Sequence, residues 1–201
     1  MKIEDLMIRE PITITDTTTI DEALVCMKTN SIRHLPVVDA DQKLLGFVTL
    51  ADLKQGLIPS MVSDLTLTDL MIKNPITVGP DRDIEIAGQL IYKHKIGGLP
   101  VVEEGCLVGI ITVTDLLGAF INMMGLLTAS SRVDVVINND SGTLKDAIHI
   151  INEAGGDIIN IAMAGQQPGH RTYYFRLTAC DTTTIRSALE DGGHQVLDTM
   201  D

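Results

Sequence analysis

With 201 residues, 45% of them apolar, the chain is long enough for one large or two small cored domains. Its formal net charge of −12 excludes nucleic acid as a main partner, because binding to a phosphate backbone rests on neutralisation by Lys and Arg. Cys26, Cys106 and Cys180 lie far apart without disulfide or zinc-ligand spacing, which fits a reducing cytoplasm, and no signal-peptide pattern opens the chain.

In chain order, a repeat is read first. Asp5-Leu6-Met7-Ile8 returns 64 positions later as Asp69-Leu70-Met71-Ile72, Pro11-Ile12-Thr13 as Pro75-Ile76-Thr77, and Leu35-Pro36-Val37-Val38 as Leu99-Pro100-Val101-Val102. After a one-residue deletion, Leu44, Gly46, Thr49, Asp52 and Leu53 match Leu107, Gly109, Thr112, Asp115 and Leu116. Each copy predicts a short extended segment, a helix, a hairpin and a second helix, in the order βαββα. In the first copy Asp16 to Thr19 cap a helix whose buried face is Ile20, Ala23, Leu24 and Met27. Asp39 to Lys43 is a loop of hairpin length between Pro36-Val37-Val38 and Leu44 to Thr49. A copy of about 55 residues is marginal alone, so the two are expected to pack as a pair. The domains implied are 1–60, 61–128 and 130–201. Leu116 to Leu127 falls short of the about 20 apolar residues of a membrane span and reads as a buried helix linking the modules, with no membrane association expected.

From about Ser130 the pattern changes to strand Arg132–Ile137, helix Thr143–Ala154, strands Ile158–Ala164 and Thr172–Leu177, helix Asp181–Asp191 and strand Gln195–Leu197. The order βαββαβ is that of a ferredoxin-like α/β sandwich. The polar loop Gly165–His170 joins its central strands. The fold class is therefore α/β (α+β), with two βαββα repeats forming a pseudo-two-fold pair, followed by a βαββαβ domain.

The repeated Gly-x-x-Thr-x-x-Asp (Gly46, Thr49, Asp52; Gly109, Thr112, Asp115) joins a strand end to a helix start. A hydroxyl and an acceptor-only carboxylate three apart converge on one small volume, suited to the two hydroxyls of a ribose, and the helix start favours a phosphate. The same Thr-x-x-Asp is also a capping box, which needs no ligand. Between helix and strand the copies differ, Arg33-His34 standing against Gly97-Gly98, the latter after Lys93-His94-Lys95. These local cations suit a phosphate, and equally a solvated helix end. His34, His94, His149, His170 and His194 show no metal-ligand spacing, and no convergent acid, base and nucleophile marks an enzyme.

The Leu-Pro-Val-Val strand, the glycine hairpin and the Thr-x-x-Asp turn, twice in about 120 residues, resemble a tandem cystathionine-β-synthase (CBS) domain pair, or Bateman module. The resemblance implies clefts for adenosine-containing nucleotides such as AMP or ATP, with Asp52 and Asp115 on ribose and Thr49 and Thr112 on ribose or phosphate. Thr13-Ile14 and Thr77-Val78 would meet adenine through backbone and side chain. Arg33, His34, Leu35 and Pro36, and in the second copy His94, Leu99 and Pro100, complete the implied site. The last domain resembles an ACT domain, which implies a dimerising module or an amino-acid ligand contacted by Asp140, Ser141, Gly142, Gly155, Gly156 and Asn160. Ser141 stands where that family usually has Pro, and the glycines serve equally as helix terminators. Together these features imply a stand-alone cytoplasmic regulatory homodimer, not an enzyme, with no cofactor beyond a regulatory adenine nucleotide. The alternative is an interaction protein whose clefts bind nothing.

Overall fold

The computed structural model describes residues 1–56, 65–127, 130–138, 143–163 and 170–201. They form two compact units, Met1–Leu117 and Gly118–Asp201.

In the first unit a 3-10 turn (Ile3–Asp5) precedes β1 (Ile8–Arg9), α1 (Ile20–Thr29), β2 (His34–Val38), β3 (Leu44–Thr49), α2 (Leu50–Gly56) and α3 (Leu67–Leu70). The second copy continues with α4 (Ile84–His94), β4 (Gly98–Glu103), β5 (Cys106–Thr112) and α5 (Val113–Met123), which ends four residues short of the expected helix and, with Leu117, Phe120 and Met123 exposed, is not the buried helix expected. Thr19 caps α1 in a full capping box with Glu22, and Ala23 and Met27 face inward from it. Each hairpin is antiparallel with a register shift near its tip, and the two tips meet through a bridge between Lys43 and Cys106. The expected first strand of each copy is a single parallel bridge, Ile14 to Val37 and Val78 to Val101.

The two cores exchange their leading segments. Ile3 and Met7, at the start of the first copy, pack with Val78, Ala87, Leu99, Val101 and Ile111 of the second. Leu67, Leu70 and Met71, at the start of the second copy, pack with Ile14, Ala23, Leu35 and Val48 of the first. Accordingly β1 pairs with β5, and Ile72 bridges Phe47. Burying one such side chain contributes about 1.5–3 kcal/mol, a large increment for a core of this size.

The second unit carries β6 (Ser130–Asn138), α6 (Thr143–Glu153), β7 (Ile158–Met163), β8 (His170–Thr178), α7 (Thr183–Asp191) and β9 (Gln195–Met200). Its antiparallel sheet has the order β7-β8-β6-β9. One face packs on both helices through Val133, Val135, Ile137, Ala147, Ile151, Phe175, Leu177, Ile185 and Leu189. This is the ferredoxin-like arrangement expected for βαββαβ.

Gly46 and Gly109 mark where the exchanged segments cross the hairpins. A Cβ on Gly46 would stand 2.6 Å from Met71 Sδ and 3.2 Å from the Ile72 carbonyl oxygen, and one on Gly109 would stand 2.6 Å from Met7 Sδ and 3.0 Å from the Ile8 carbonyl oxygen. Gly46→Ala and Gly109→Ala are therefore each expected to lower unfolding stability by about 1–3 kcal/mol, Gly109→Ala more because the backbone carbonyl it meets lies nearer, at 3.0 Å against 3.2 Å. Urea denaturation monitored by circular dichroism checks this, and unchanged midpoints would contradict the exchange.

Candidate functional site

Each strand-to-helix junction is built twice in the same way. The Leu50 amide donates to the Arg33 carbonyl and the Val113 amide to the Gly97 carbonyl, both at 3.0 Å, tying each helix start to the strand beside it. Oδ2 of Asp52 accepts from the Thr49 amide at 2.9 Å and from the Thr49 hydroxyl at 2.7 Å. Oδ2 of Asp115 accepts from the Thr112 amide at 2.8 Å and the Thr112 hydroxyl at 2.6 Å. Both carboxylates thus cap their own helices with one oxygen. Among the described residues no hydrogen bond reaches Oδ1 of either, and both residues are half-buried.

Thr49, Asp52, Thr112 and Asp115 line one cavity of about 1070 Å³ inside the first unit, so the two junctions share a space. That volume slightly exceeds the about 300–1000 Å³ usual for small-molecule sites. Arg33, Lys54 and Lys95 bring three cations to its wall, against Glu10, Asp52 and Asp115. In a chain of net charge −12 this is a local balance favourable to an anionic ligand group. Glu10, Ser31, Asn74 and Lys95, all on the wall, have positive φ (49°, 54°, 114° and 54°), and the repeat pairs Glu10 with Asn74 and Ser31 with Lys95. Left-handed backbone at non-glycine residues, kept in both copies, shapes the rim.

His34 also lines the cavity. Its ring stacks on Phe47, centroids 5.8 Å apart and planes 14° apart. Burial foremost, then the Arg33 charge, holds its pKa below the ordinary 6.5, with Asp52 opposing. The remaining residues of the implied nucleotide site lie elsewhere. Leu35, Leu99, Ile14 and Val78 are buried in the two cores, and Pro36 and Pro100 are buried beside them. The Ile14 amide donates to the Pro36 carbonyl and its carbonyl accepts from Val38, and Val78 does the same with Pro100 and Val102. Thr13, Thr77 and His94 are outside the cavity wall, which instead takes Pro11-Ile12 and Pro75-Ile76, one or two positions earlier. Phe47, Lys54 and Lys95 were missed as wall residues; the signal for Lys95 was its place in the basic cluster, whereas Phe47 carried none beyond strand alternation.

In the second unit, Asp140, Ser141 and Gly142, like most of the loop Gly165–His170, fall outside the described residues. Gly155 and Gly156 end α6, their amides donating to the Asn152 and Ile151 carbonyls at 3.0 and 2.8 Å, so neither amide is available to a ligand. The Asn160 side chain donates to the Met123 carbonyl at 3.0 Å. It borders a pocket of about 160 Å³ with Arg132, Tyr174 and Arg176. Those guanidinium groups are already partnered, Arg132 by Asp134 (2.9 Å) and Asp198 (3.3 Å) and Arg176 by the Ser130 hydroxyl (2.8 Å). Burial raises the Asp134 pKa despite Arg132. Among the described residues no group of three or more His, Cys, Asp or Glu could hold a metal ion, and no helix is long and apolar enough to cross a membrane.

A family model for the CBS domain matches residues 3–58 and 66–122. Inosine-5'-monophosphate dehydrogenase of Methanocaldococcus jannaschii is 36% identical over 119 residues, 58% of this chain but only 23% of the enzyme. A CBS domain-containing protein of Dictyostelium discoideum is 33% identical over 134 residues, 61% of this chain and 92% of that protein. Among solved structures, a Vibrio cholerae protein carrying the name acetoin utilization protein (AcuB) is similar with TM-score 0.56 and 38% identity, over 63% of this chain and 94% of that one. The CBS domain pair of protein MJ0100, in complex with 5'-methylthioadenosine and S-adenosyl-L-methionine, is similar with TM-score 0.56 and 30% identity, over 60% and 95%. CBSX2 of Arabidopsis thaliana, in complex with AMP, is similar with TM-score 0.55 and 28% identity, over 61% and 98%.

The depressed His34 pKa has a sign that can be checked. A neutral ring is favoured in the folded protein, so this contribution to stability is fully present above the unfolded value of 6.5 and is lost as pH falls through the folded value. The stability difference between the protein and His34→Gln should shrink on acidification from about pH 8 to about pH 5. Denaturant midpoints measured across that range check it; a constant difference would contradict a buried neutral imidazole.

Proposed function

Because the chain belongs to the CBS-domain family, we propose that its first unit is a regulatory module that binds an adenosine-containing ligand in the shared cavity and performs no chemistry on it. The observation that carries this reading is the pair of Thr–Asp junctions on one cavity wall, each carboxylate keeping an oxygen that its helix cap does not use. A ribose diol would donate to that oxygen, and Arg33, Lys54 or Lys95 would face a phosphate or another anionic group. Similar CBS pairs in complex with AMP, or with 5'-methylthioadenosine and S-adenosyl-L-methionine, support the choice of ligand class. The enzymes among the relatives match this chain over only about a fifth to a third of their own length, which is consistent with a regulatory attachment.

Calorimetry of the full chain against AMP, ATP, 5'-methylthioadenosine and S-adenosyl-L-methionine tests this. At least one should bind, and the double variant Asp52→Asn/Asp115→Asn, whose amides still cap the helices, should weaken that binding at least about tenfold, or 1.4 kcal/mol. No binding by any of the four, or unchanged affinity in the double variant, would overturn the reading.

The closed geometry of the caps favours a second reading, an interaction protein with an empty cavity. It requires Asp52→Ala and Asp115→Ala to lower stability by about 1 kcal/mol each with no ligand to lose.

The signalling state is a homodimer in this proposal. Along α5, Val113, Leu117, Phe120 and Met123 recur three or four apart and are all exposed, an apolar stripe suited to the same stripe of a second copy. The ferredoxin-like unit is assigned to assembly, since Gly155, Gly156 and Asn160 already have partners. Phe120→Glu should convert the protein from dimer to monomer in sedimentation velocity; a dimer unaffected by Phe120→Glu and Leu117→Glu together would place the interface elsewhere.

A further inference from the structure

Pseudo-symmetry would make the two halves of the cavity alike, and two adjacent substitutions between the copies prevent it. Arg33 and His34 of the first copy occupy the places of Gly97 and Gly98 in the second. In the ladder β2–β3 the residue opposite Thr49 is His34, whereas in β4–β5 the residue opposite Thr112 is Gly98. Beside the Thr49–Asp52 junction there is therefore an imidazole, and at the matching place beside Thr112–Asp115 there is no side chain. Phe47, which backs the ring, is matched in the second copy by Ile110, so no stacked pair forms there.

The ring also crosses from one copy to the other. A Cβ built on Gly97 would stand 2.5 Å from His34 Nε2 and 2.9 Å from Cε1, closer than any real contact, so the glycine is what admits the imidazole. His34 and Gly97 thus form an interlocking pair, large against small. His34 is also close enough to Asp52 for that carboxylate to act on its charge.

Resting on the reading that the cavity binds an adenosine-containing ligand, we propose that His34 closes the Asp52 half of the cavity. The protein then takes one ligand per chain, with its sugar on Asp115. Asp52 then serves chiefly as a helix cap, and Asp115 serves as both cap and diol acceptor. The imidazole, stacked on Phe47 and lodged against Gly97, stands beside the Thr49–Asp52 junction, whereas Gly98, opposite Thr112, places no side chain beside the Thr112–Asp115 junction.

Native mass spectrometry and calorimetry of the full chain with AMP, or with whichever of the four probes above binds, test this. The unaltered protein should bind one ligand per chain, and His34→Gly, which gives the first copy the second copy's residue, should bind two. Should His34→Gly fail to fold, single variants decide: Asp115→Asn should weaken binding at least about tenfold more than Asp52→Asn. Two ligands per unaltered chain, one ligand per chain in folded His34→Gly, or equal losses in Asp52→Asn and Asp115→Asn would overturn the proposal while leaving the adenosine reading intact. Absence of binding by every probe would overturn that reading itself, and this proposal with it.

Discussion

Neither copy of the duplicated region closes its own core. Each lacks one wall, and the wall is supplied by the leading segment of the other: Ile3 and Met7 in one direction, Leu67, Leu70 and Met71 in the other. This reciprocal exchange holds the hairpins in fixed register, because β1 runs along β5 and Ile72 bridges Phe47. It also forces Gly46 and Gly109 to be glycine where methionine side chains and carbonyls press against the hairpins. Once the hairpins are so fixed, the two helix starts that follow them open onto one cavity.

Within that frame, the Thr-x-x-Asp turn does two things with one carboxylate. Oδ2 closes the capping box, which stiffens the first turn of the helix and fixes the side-chain rotamer. The second oxygen then needs no further ordering to act as an acceptor at the cavity wall, so binding through it loses little conformational entropy. Stability and recognition are therefore coupled at these positions, and an alanine there reports both. The asymmetry between the copies is confined to few residues, with His34 lodged over Gly97, while the junctions themselves are alike.

Much of this was legible in the residues, and the limits have physical causes. The repeat, the hairpins and the helix caps are local patterns, and the ferredoxin-like order followed from periodicity and turn chemistry alone. The exchange of leading segments is a non-local pairing that no local pattern encodes, so Met7 and Met71 read simply as the start of their own copies. Ile14, Leu35, Val78 and Leu99 were expected along a ligand and their side chains are buried in the two cores, Ile14 and Val78 at the parallel bridges to Val37 and Val101. Gly155 and Gly156 were open to two readings, and their amides are taken by the end of α6. The importance of Gly97 was not legible at all, since it depends on an imidazole 63 positions away in the chain.

The central claim is that a carboxylate oxygen left over from a helix cap reads the hydroxyl pair of a sugar. Comparing the affinity of the full chain for AMP and for its 2',3'-dideoxy analogue tests it most directly, because the two differ only in those hydroxyls. The dideoxy compound should bind at least about tenfold more weakly, since it leaves the second oxygen of the half-buried carboxylate without a donor. Equal affinity for the two compounds would contradict the claim.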